Sequence, residues 1–358
     1  MIEFIKMSKY LILKLGALGD ISFFLPAVDQ IKRYDAQAHV TWIVGSAYVD
    51  FLEKHPGIDQ IISVDEKRLF HGSAFQKLRE GLRLWLRLGF FYHRILIGHR
   101  TLGAFLLVRL RVLGRIFQVV RQPSFWNSRG RTEVVIPPLC LHESLGFKQL
   151  LEKALDQSIA RESWKWSTHW IPSPLKLEGT PYVCFHLGGG SNAKTEFRLK
   201  KWPGWSEFLK LFLKNTQMSV VLVGAPSERA EAEELVREIE REIRSERFRV
   251  DNQVGQTKMI ELVSLLKSAT GFVGVDSGPL HFADSMDVPC VGIYGPTSSV
   301  SWGLLGARTR VFQNSVPCSP CYRDDGIFPE CTHEHVCMKA LAPSGLMKVL
   351  EEFMGEFS

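Results

Sequence analysis

Short apolar runs alternate along this chain with longer stretches in which apolar residues recur every three or four positions. Tyr10 to Leu15, His39 to Val44, Ile61 to Val64, Arg94 to Ile97 and Arg115 to Val120 have the length and content of buried strands. The segments between them, about Ile21 to Arg33, Tyr48 to Lys54, Leu78 to Leu88 and Leu102 to Leu113, carry helical periodicity, and His142 to Leu155 closes the series. From Ser163 to Pro181 the pattern dissolves into Trp, Ser, Thr and Pro, which reads as a linker. Alternation then resumes, with strands at Tyr182 to Phe185, Ser219 to Val223, Gly271 to Val275 and Val291 to Tyr294. Helices at Trp205 to Lys214, Glu228 to Arg244, Met259 to Lys267 and Ser344 to Phe353 accompany them. This alternation predicts an α/β protein of two doubly wound, Rossmann-like domains. The expected boundaries are 1–165 for the first domain, 166–181 for the linker and 182–342 for the second domain. Residues 343–358 form a C-terminal helix expected to pack back on the first domain.

The polar residues collect at the strand ends. In the second half, Gly188-Gly189-Gly190-Ser191 permits close backbone approach to a phosphate, and Lys200-Lys201-Trp202-Pro203 brings an ammonium. Gly224-Ala225-Pro226-Ser227-Glu228 offers a carboxylate for ribose hydroxyls. Asp276-Ser277-Gly278-Pro279 sets a carboxylate, a hydroxyl and unpaired N–H groups at a helix N-terminus. Each alone has a plain reading as a glycine loop, a solvated helix start or a helix cap. Together, at successive strand ends of one parallel sheet, they point to a nucleotide-type ligand. In the first half Asp20 stands out, after Leu15-Gly16-Ala17-Leu18-Gly19. It reads either as a helix N-cap or as a general base. The Gly-x-x-Gly-Asp spacing is not the dinucleotide fingerprint, and no acidic residue ends the second strand, which disfavours a dinucleotide-dependent oxidoreductase or epimerase.

Composition adds limits. At 358 residues, 45% hydrophobic and 23% charged, the chain is a soluble globular type too long for one core. No run approaches the ~18 apolar residues of a membrane span, and no secretory leader is evident. The expected location is the cytoplasm, with the seven cysteines as thiols. Charge changes the picture more. Between Lys67 and Arg131 there are fourteen Lys or Arg and one acid, Glu80, a balance of +13 within a chain of net +6. The remainder holds 44 − 14 = 30 basic and 38 − 1 = 37 acidic residues, or −7. Arg79, Arg83 and Arg87 recur at intervals of four and share one helix face, which is either an ordinary solvated face or one suited to the phosphates of an anionic glycolipid or membrane surface. No nucleic-acid module is present, so nucleic acid is not an expected partner.

Leu13-Lys14-Leu15-Gly16-Ala17-Leu18-Gly19-Asp20, His186 to Ser191, Lys200-Lys201-Trp202-Pro203, Gly274-Val275-Asp276-Ser277-Gly278-Pro279-Leu280-His281 and Gly295-Pro296-Thr297 together resemble the heptosyltransferase family, glycosyltransferase family 9. The resemblance implies a GT-B fold, two Rossmann-like domains facing a central cleft. It implies inverting transfer of heptose from ADP-heptose to a lipopolysaccharide core acceptor, with no cofactor required for catalysis. Carried over by position, Asp20 is the base, and Ser191 and Lys200 contact the diphosphate. Glu228 holds the ribose and Thr257 lies by the adenine. Asp276 binds the sugar hydroxyls, while Ser277, Gly278 and His281 line the phosphate side. The first domain departs from the family where Gly98-His99-Arg100 replaces a frequent Asp-Leu-Gln. Alternatives are another nucleotide sugar, a protein acceptor, or a non-catalytic nucleotide-binding protein.

Near the C-terminus, Cys318-x2-Cys321-x9-Cys331-x5-Cys337, with His333 and His335 inside it, has ligand types suited to a structural zinc or iron. Reduced structural cysteines are the other reading. Cys140, Cys184 and Cys290 sit in apolar settings and are expected in the core.

Overall fold

A computed structural model describes residues 7–99, 108–122, 130–138, 141–173, 181–188, 197–243, 249–322 and 328–355. The chain divides between Trp170 and Ile171 into two compact units. In the first, β1 (Lys9–Leu13), β2 (His39–Gly45), β3 (Gln60–Val64), β4 (Phe91–Ile97), β5 (Leu113–Val119) and β6 (Thr132–Val135) form one sheet. Its helices are α1 (Leu18–Tyr34), α2 (Val49–Leu52), α3 (Glu66–His71), α4 (Ala74–Arg87) and α5 (Glu143–Leu155). In the second unit the strands are β7 (Tyr182–His186), β8 (Ser219–Leu222), β9 (Val250–Asn252), β10 (Gly271–Val275), β11 (Cys290–Tyr294) and β12 (Thr309–Gln313). Its helices are α6 (Trp205–Asn215), α7 (Arg229–Glu242), α8 (Met259–Ser268), α9 (Gly278–Ser285), α10 (Val336–Lys339) and α11 (Pro343–Gly355).

Both sheets are parallel throughout and share one strand order. The first runs β3-β2-β1-β4-β5-β6, the second β12-β11-β10-β7-β8-β9. Counted within each unit, both are 3-2-1-4-5-6, the doubly wound arrangement expected from the alternation. The order reverses between β1 and β4 in one unit and between β7 and β10 in the other. Parallel strands buried on both faces need continuous apolar sequence, and β1, β7, β10 and β11 supply it. The strands absent from the sequence reading, β6, β9 and β12, lie at or near sheet edges, where Thr132, Asp251 and Arg310 are tolerated.

Two boundaries differ from expectation. The tryptophans of the supposed linker anchor it to the first unit. The Trp164 indole donates to Ser144 Oγ at 2.9 Å, Trp166 is buried, and Trp170 stacks at 5.1 Å from both Phe51 and His55. The C-terminal helix, expected on the first domain, buries its face in the second. Leu346, Met347, Leu350 and Phe353 of α11 join Phe208 and Phe212 of α6 in one core, since an apolar stripe packs on the nearest complementary one. The proposed helix from Leu102 falls largely outside the described residues, and Leu113 begins β5 instead.

Gly188 shows how backbone freedom shapes the end of β7. Its φ is +86°, and a Cβ there would collide with Val275 of β10. We expect Gly188→Ala to destabilise the protein by roughly 2 kcal/mol, the left-handed penalty plus a forced shift. A thermal melt unchanged from the wild type would contradict that packing.

Candidate active site

Lys200 ends a 3-10 turn, Phe197–Lys200, and its ammonium meets Asp276 directly beyond β10. Nζ donates to Asp276 Oδ2 at 2.8 Å and to the Asp276 carbonyl at 3.1 Å. The other oxygen, Oδ1, lies 3.0 Å from His281 Nε2, one turn along α9. Burial works against a charge on Asp276, yet Lys200 and His281 prevail and hold its carboxyl well below the usual range. The neighbouring lysine turns away, with Lys201 pairing to Glu231. Tryptophans on the same segment fix this choice. Trp202 donates its indole N–H to the Leu341 carbonyl and Trp205 to the Leu187 carbonyl, each at 3.0 Å. Tyr322 lies beneath the same ammonium, which sits 5.7 Å from its ring centre.

Glu228 stands at the end of the turn after β8, buried, accepting from the Ala225 N–H at 2.6 Å and lying 3.4 Å from His186 Nε2. Burial raises its pKa, but His186, the Ala225 N–H and Lys201 outweigh it and keep the carboxyl ionised. The turn carrying Thr257 packs beside it, through the Gly255 N–H to the Gly224 carbonyl at 3.0 Å. Thr257 itself is half-buried. Ser277 precedes Gly278, the first residue of α9. Ser191 lies outside the described residues. Three buried oxygens near these strand ends, Glu228 Oε1, Ser277 Oγ and Thr297 Oγ1, have no hydrogen-bond partner among the described residues. Buried polar atoms are ordinarily paired, so this grouping suits a ligand that carries both donors and acceptors.

In the first unit, α1 begins earlier than its sequence suggests, at Leu18 with Ala17 as the cap residue. Asp20 is therefore inside the first turn rather than at the cap, and its Oδ2 pairs with Lys14 Nζ at 2.6 Å. Lys14 is buried and Asp20 is 22% exposed, so the carboxylate remains reachable. Around this pair stand His99, noted in the sequence only as part of a departure from the family motif, and Glu66 and Tyr48, which sequence reasoning did not single out. The Leu15 N–H donates to His99 Nε2 at 2.7 Å, and burial together with Lys14 lowers the His99 pKa to about 3. Glu66, from α3, reaches Gly45 and Gly16, and a Cβ on Gly45 would collide with its carboxylate. Burial raises the Glu66 pKa against the pull of Lys14. Tyr48 lies beside it, its hydroxyl pushed up by burial and by the charges of Glu66 and Asp20.

The cysteine set does not assemble. Among the described residues no three His, Cys, Asp or Glu stand together so as to hold a metal ion. Cys337 is buried in α10, with its thiol pushed up to about 11 by burial and by Cys321, Cys318 and Cys331. Cys331 is exposed, His335 is engaged with the Leu199 carbonyl, and His333 lies 3.1 Å from the Thr332 hydroxyl. Cys184 and Cys290 are core residues, and Cys140 lies outside the described ones.

Two doubly wound units, each with a lysine–carboxylate pair at its switch point, define a GT-B-type α/β fold. Residues 166–331 match the model for glycosyltransferase family 9 (heptosyltransferase). It is 23% identical to lipopolysaccharide heptosyltransferase 1 of Pseudomonas aeruginosa over 365 residues, covering 97% of this chain and 98% of that one. It is 24% identical to lipopolysaccharide heptosyltransferase 3 of Escherichia coli over 297 residues, or 79% and 81% of the two chains. The solved structure of E. coli heptosyltransferase WaaC with ADP superposes with a TM-score of 0.73 at 18% identity, covering 96% and 99%.

The pairing of Lys200 with Asp276 has a measurable sign. Asp276 has a lowered pKa in the fold, so its pairing contributes fully above the unfolded value of ~3.9 and is lost as pH falls toward the folded one. Lys200→Ala, which leaves a buried carboxylate with His281 alone, should cost about 3 kcal/mol at pH 7. That deficit should shrink below about pH 4. Denaturant melts showing a pH-independent deficit would contradict it.

Proposed function

We propose that this enzyme transfers heptose from ADP-heptose to a lipopolysaccharide core acceptor with inversion at the sugar carbon. The observation that carries the reading is the Lys200–Asp276–His281 cluster, flanked by three partnerless buried oxygens, those of Glu228, Ser277 and Thr297, beyond the carboxyl ends of one parallel sheet. A nucleoside diphosphate sugar supplies complementary groups. Its diphosphate takes the Lys200 ammonium and the N–H groups beginning α9, and its hydroxyls donate to Glu228 and Asp276. Ser191, Ser277 and Gly278 belong to the phosphate side and Thr257 to the base. The names of the relatives, heptosyltransferases of lipopolysaccharide, support heptose as the sugar and the glycolipid as acceptor.

Inverting displacement needs a base for the acceptor hydroxyl. The hydroxyl oxygen attacks the anomeric carbon, ADP departs with the bonding pair, and the base takes the proton. Asp20 suits that role because its carboxylate is reachable and Lys14 holds only Oδ2, leaving Oδ1 outside that pair. Lys200 and the helix N-terminus balance the charge that develops on the diphosphate. The acceptor is membrane-borne, so the enzyme works at the cytoplasmic face of the inner membrane, with residues 67–131 attracted to its anionic surface.

Two measurements test this. ADP at a hundred times its Kd should stabilise the protein by about 2.7 kcal/mol, while NADH should not. A thermal-shift titration with the opposite preference would defeat the nucleotide reading. Asp20→Asn keeps size and a hydrogen bond to Lys14 but cannot accept the proton, so turnover should fall roughly 10²–10⁴-fold with ADP affinity unchanged. Near-full transfer by this variant would place the base elsewhere.

A further inference from the structure

α4 is built inside out for a helix of a soluble domain. It is firmly set in the first unit, with a capping box at Ser73 and Gln76 and with Glu80 accepting from the Asp65 N–H at 3.1 Å. Yet Glu80 and Leu84 are its only buried residues. At 3.6 residues per turn, Phe75, Leu78, Leu82, Trp85 and Leu86 fall on the opposite side, pointing away from the sheet. They are exposed by 71%, 70%, 51%, 39% and 67%. Arg79, Arg83 and Arg87 run along one flank of this stripe. The patch continues beyond the helix. Arg111 lies 3.8 Å from the ring centre of Phe90 and 4.9 Å from that of Trp85, and it donates to the Trp85 carbonyl at 3.3 Å. Phe90, Leu110 and Leu113 are exposed beside it.

We propose that α4 lies in the plane of an anionic bilayer and inserts Phe75, Leu78, Leu82, Trp85 and Leu86 below the headgroups, so that the first unit docks on lipid through this face. A tight apolar stripe with arginines along its border is the pattern of an interfacial helix, with the long basic side chains reaching back to phosphates. The charge selects the occupant. A second copy would bring another segment of +13 against the first, whereas anionic lipid neutralises that charge. This deepens the reading of a membrane-borne acceptor, on which it rests, by adding an apolar anchor that salt cannot screen.

The test is flotation of the full chain with vesicles of neutral phosphatidylcholine, with and without phosphatidylglycerol. The wild type should bind the mixed vesicles and keep a measurable bound fraction at 0.5 M salt. L78E/L82E, whose positions face water, should fold with an unchanged melting temperature and bind at least about tenfold more weakly. Brominated lipid should quench tryptophan emission in the wild type, and Trp85→Phe should abolish most of that quenching. Binding fully lost in salt and indifferent to L78E/L82E would overturn the insertion. So would L78E/L82E dissociating a self-associated form without affecting flotation. Transfer to a detergent-dispersed acceptor should be the same in L78E/L82E and wild type, which keeps a failure of docking distinct from a failure of the glycosyltransferase reading.

Discussion

A carboxylate buried beyond a strand end needs a fixed cation, and the second unit is arranged to supply one. Asp276 is 5% exposed and sits where α9 starts, and without Lys200 its charge would face a desolvation cost of several kcal/mol. Lys200 reaches it because Trp202 and Trp205 hold the preceding turn against the core by two indole hydrogen bonds. The segment Lys200-Lys201-Trp202-Pro203-Gly204-Trp205 thus works as a clamp whose aromatic end is seated in the core and whose ammonium end holds Asp276. Gly204 belongs to it for a packing reason, since a Cβ there would strike the Trp202 ring.

The first unit repeats the device in a looser form. Lys14 and Asp20 meet at 2.6 Å at the switch point between β1 and β4, as Lys200 and Asp276 meet beside the switch between β7 and β10. The two carboxylates differ in surroundings. Asp276 is closed in by a lysine and a histidine and serves as a fixed acceptor of hydrogen bonds. Asp20 has a lysine on one oxygen and keeps partial access to solvent. One fold therefore produces a closed-in carboxylate and an accessible one by changing the number of partners and the depth of burial.

Much of this was legible because it is local. Buried parallel strands are apolar runs, and the turns after β7, β8 and β10 announce themselves by glycine, proline and acidic residues close together. Edge strands such as Val250–Asn252 carry no such signal, since half their surface faces water. The helix start at Leu18 was hidden because Asp20 looks like a cap, and only the backbone distinguishes a cap from a first-turn residue. Glu66 was invisible for a different reason. Its place depends on missing side chains at Gly16 and Gly45, which are far from it in sequence and unremarkable by themselves. The cysteines show the reverse failure. Spacing lists ligand types but not depth, and here Cys331 faces water while Cys337 is buried in α10.

The partnerless oxygens give the second unit a thermodynamic direction. Each buried acceptor left unpaired costs about 1–3 kcal/mol, and Glu228 Oε1, Ser277 Oγ and Thr297 Oγ1 come from the ends of three different strands. They stand on separate turns, Glu228 after β8, Ser277 after β10 and Thr297 after β11. A ligand that donates hydroxyl protons to several of them recovers that cost at once, and the recovered free energy appears as affinity rather than as fold stability. The rigid sheet is what makes this possible, since a flexible loop would turn its polar atoms to water and leave nothing for the ligand to satisfy.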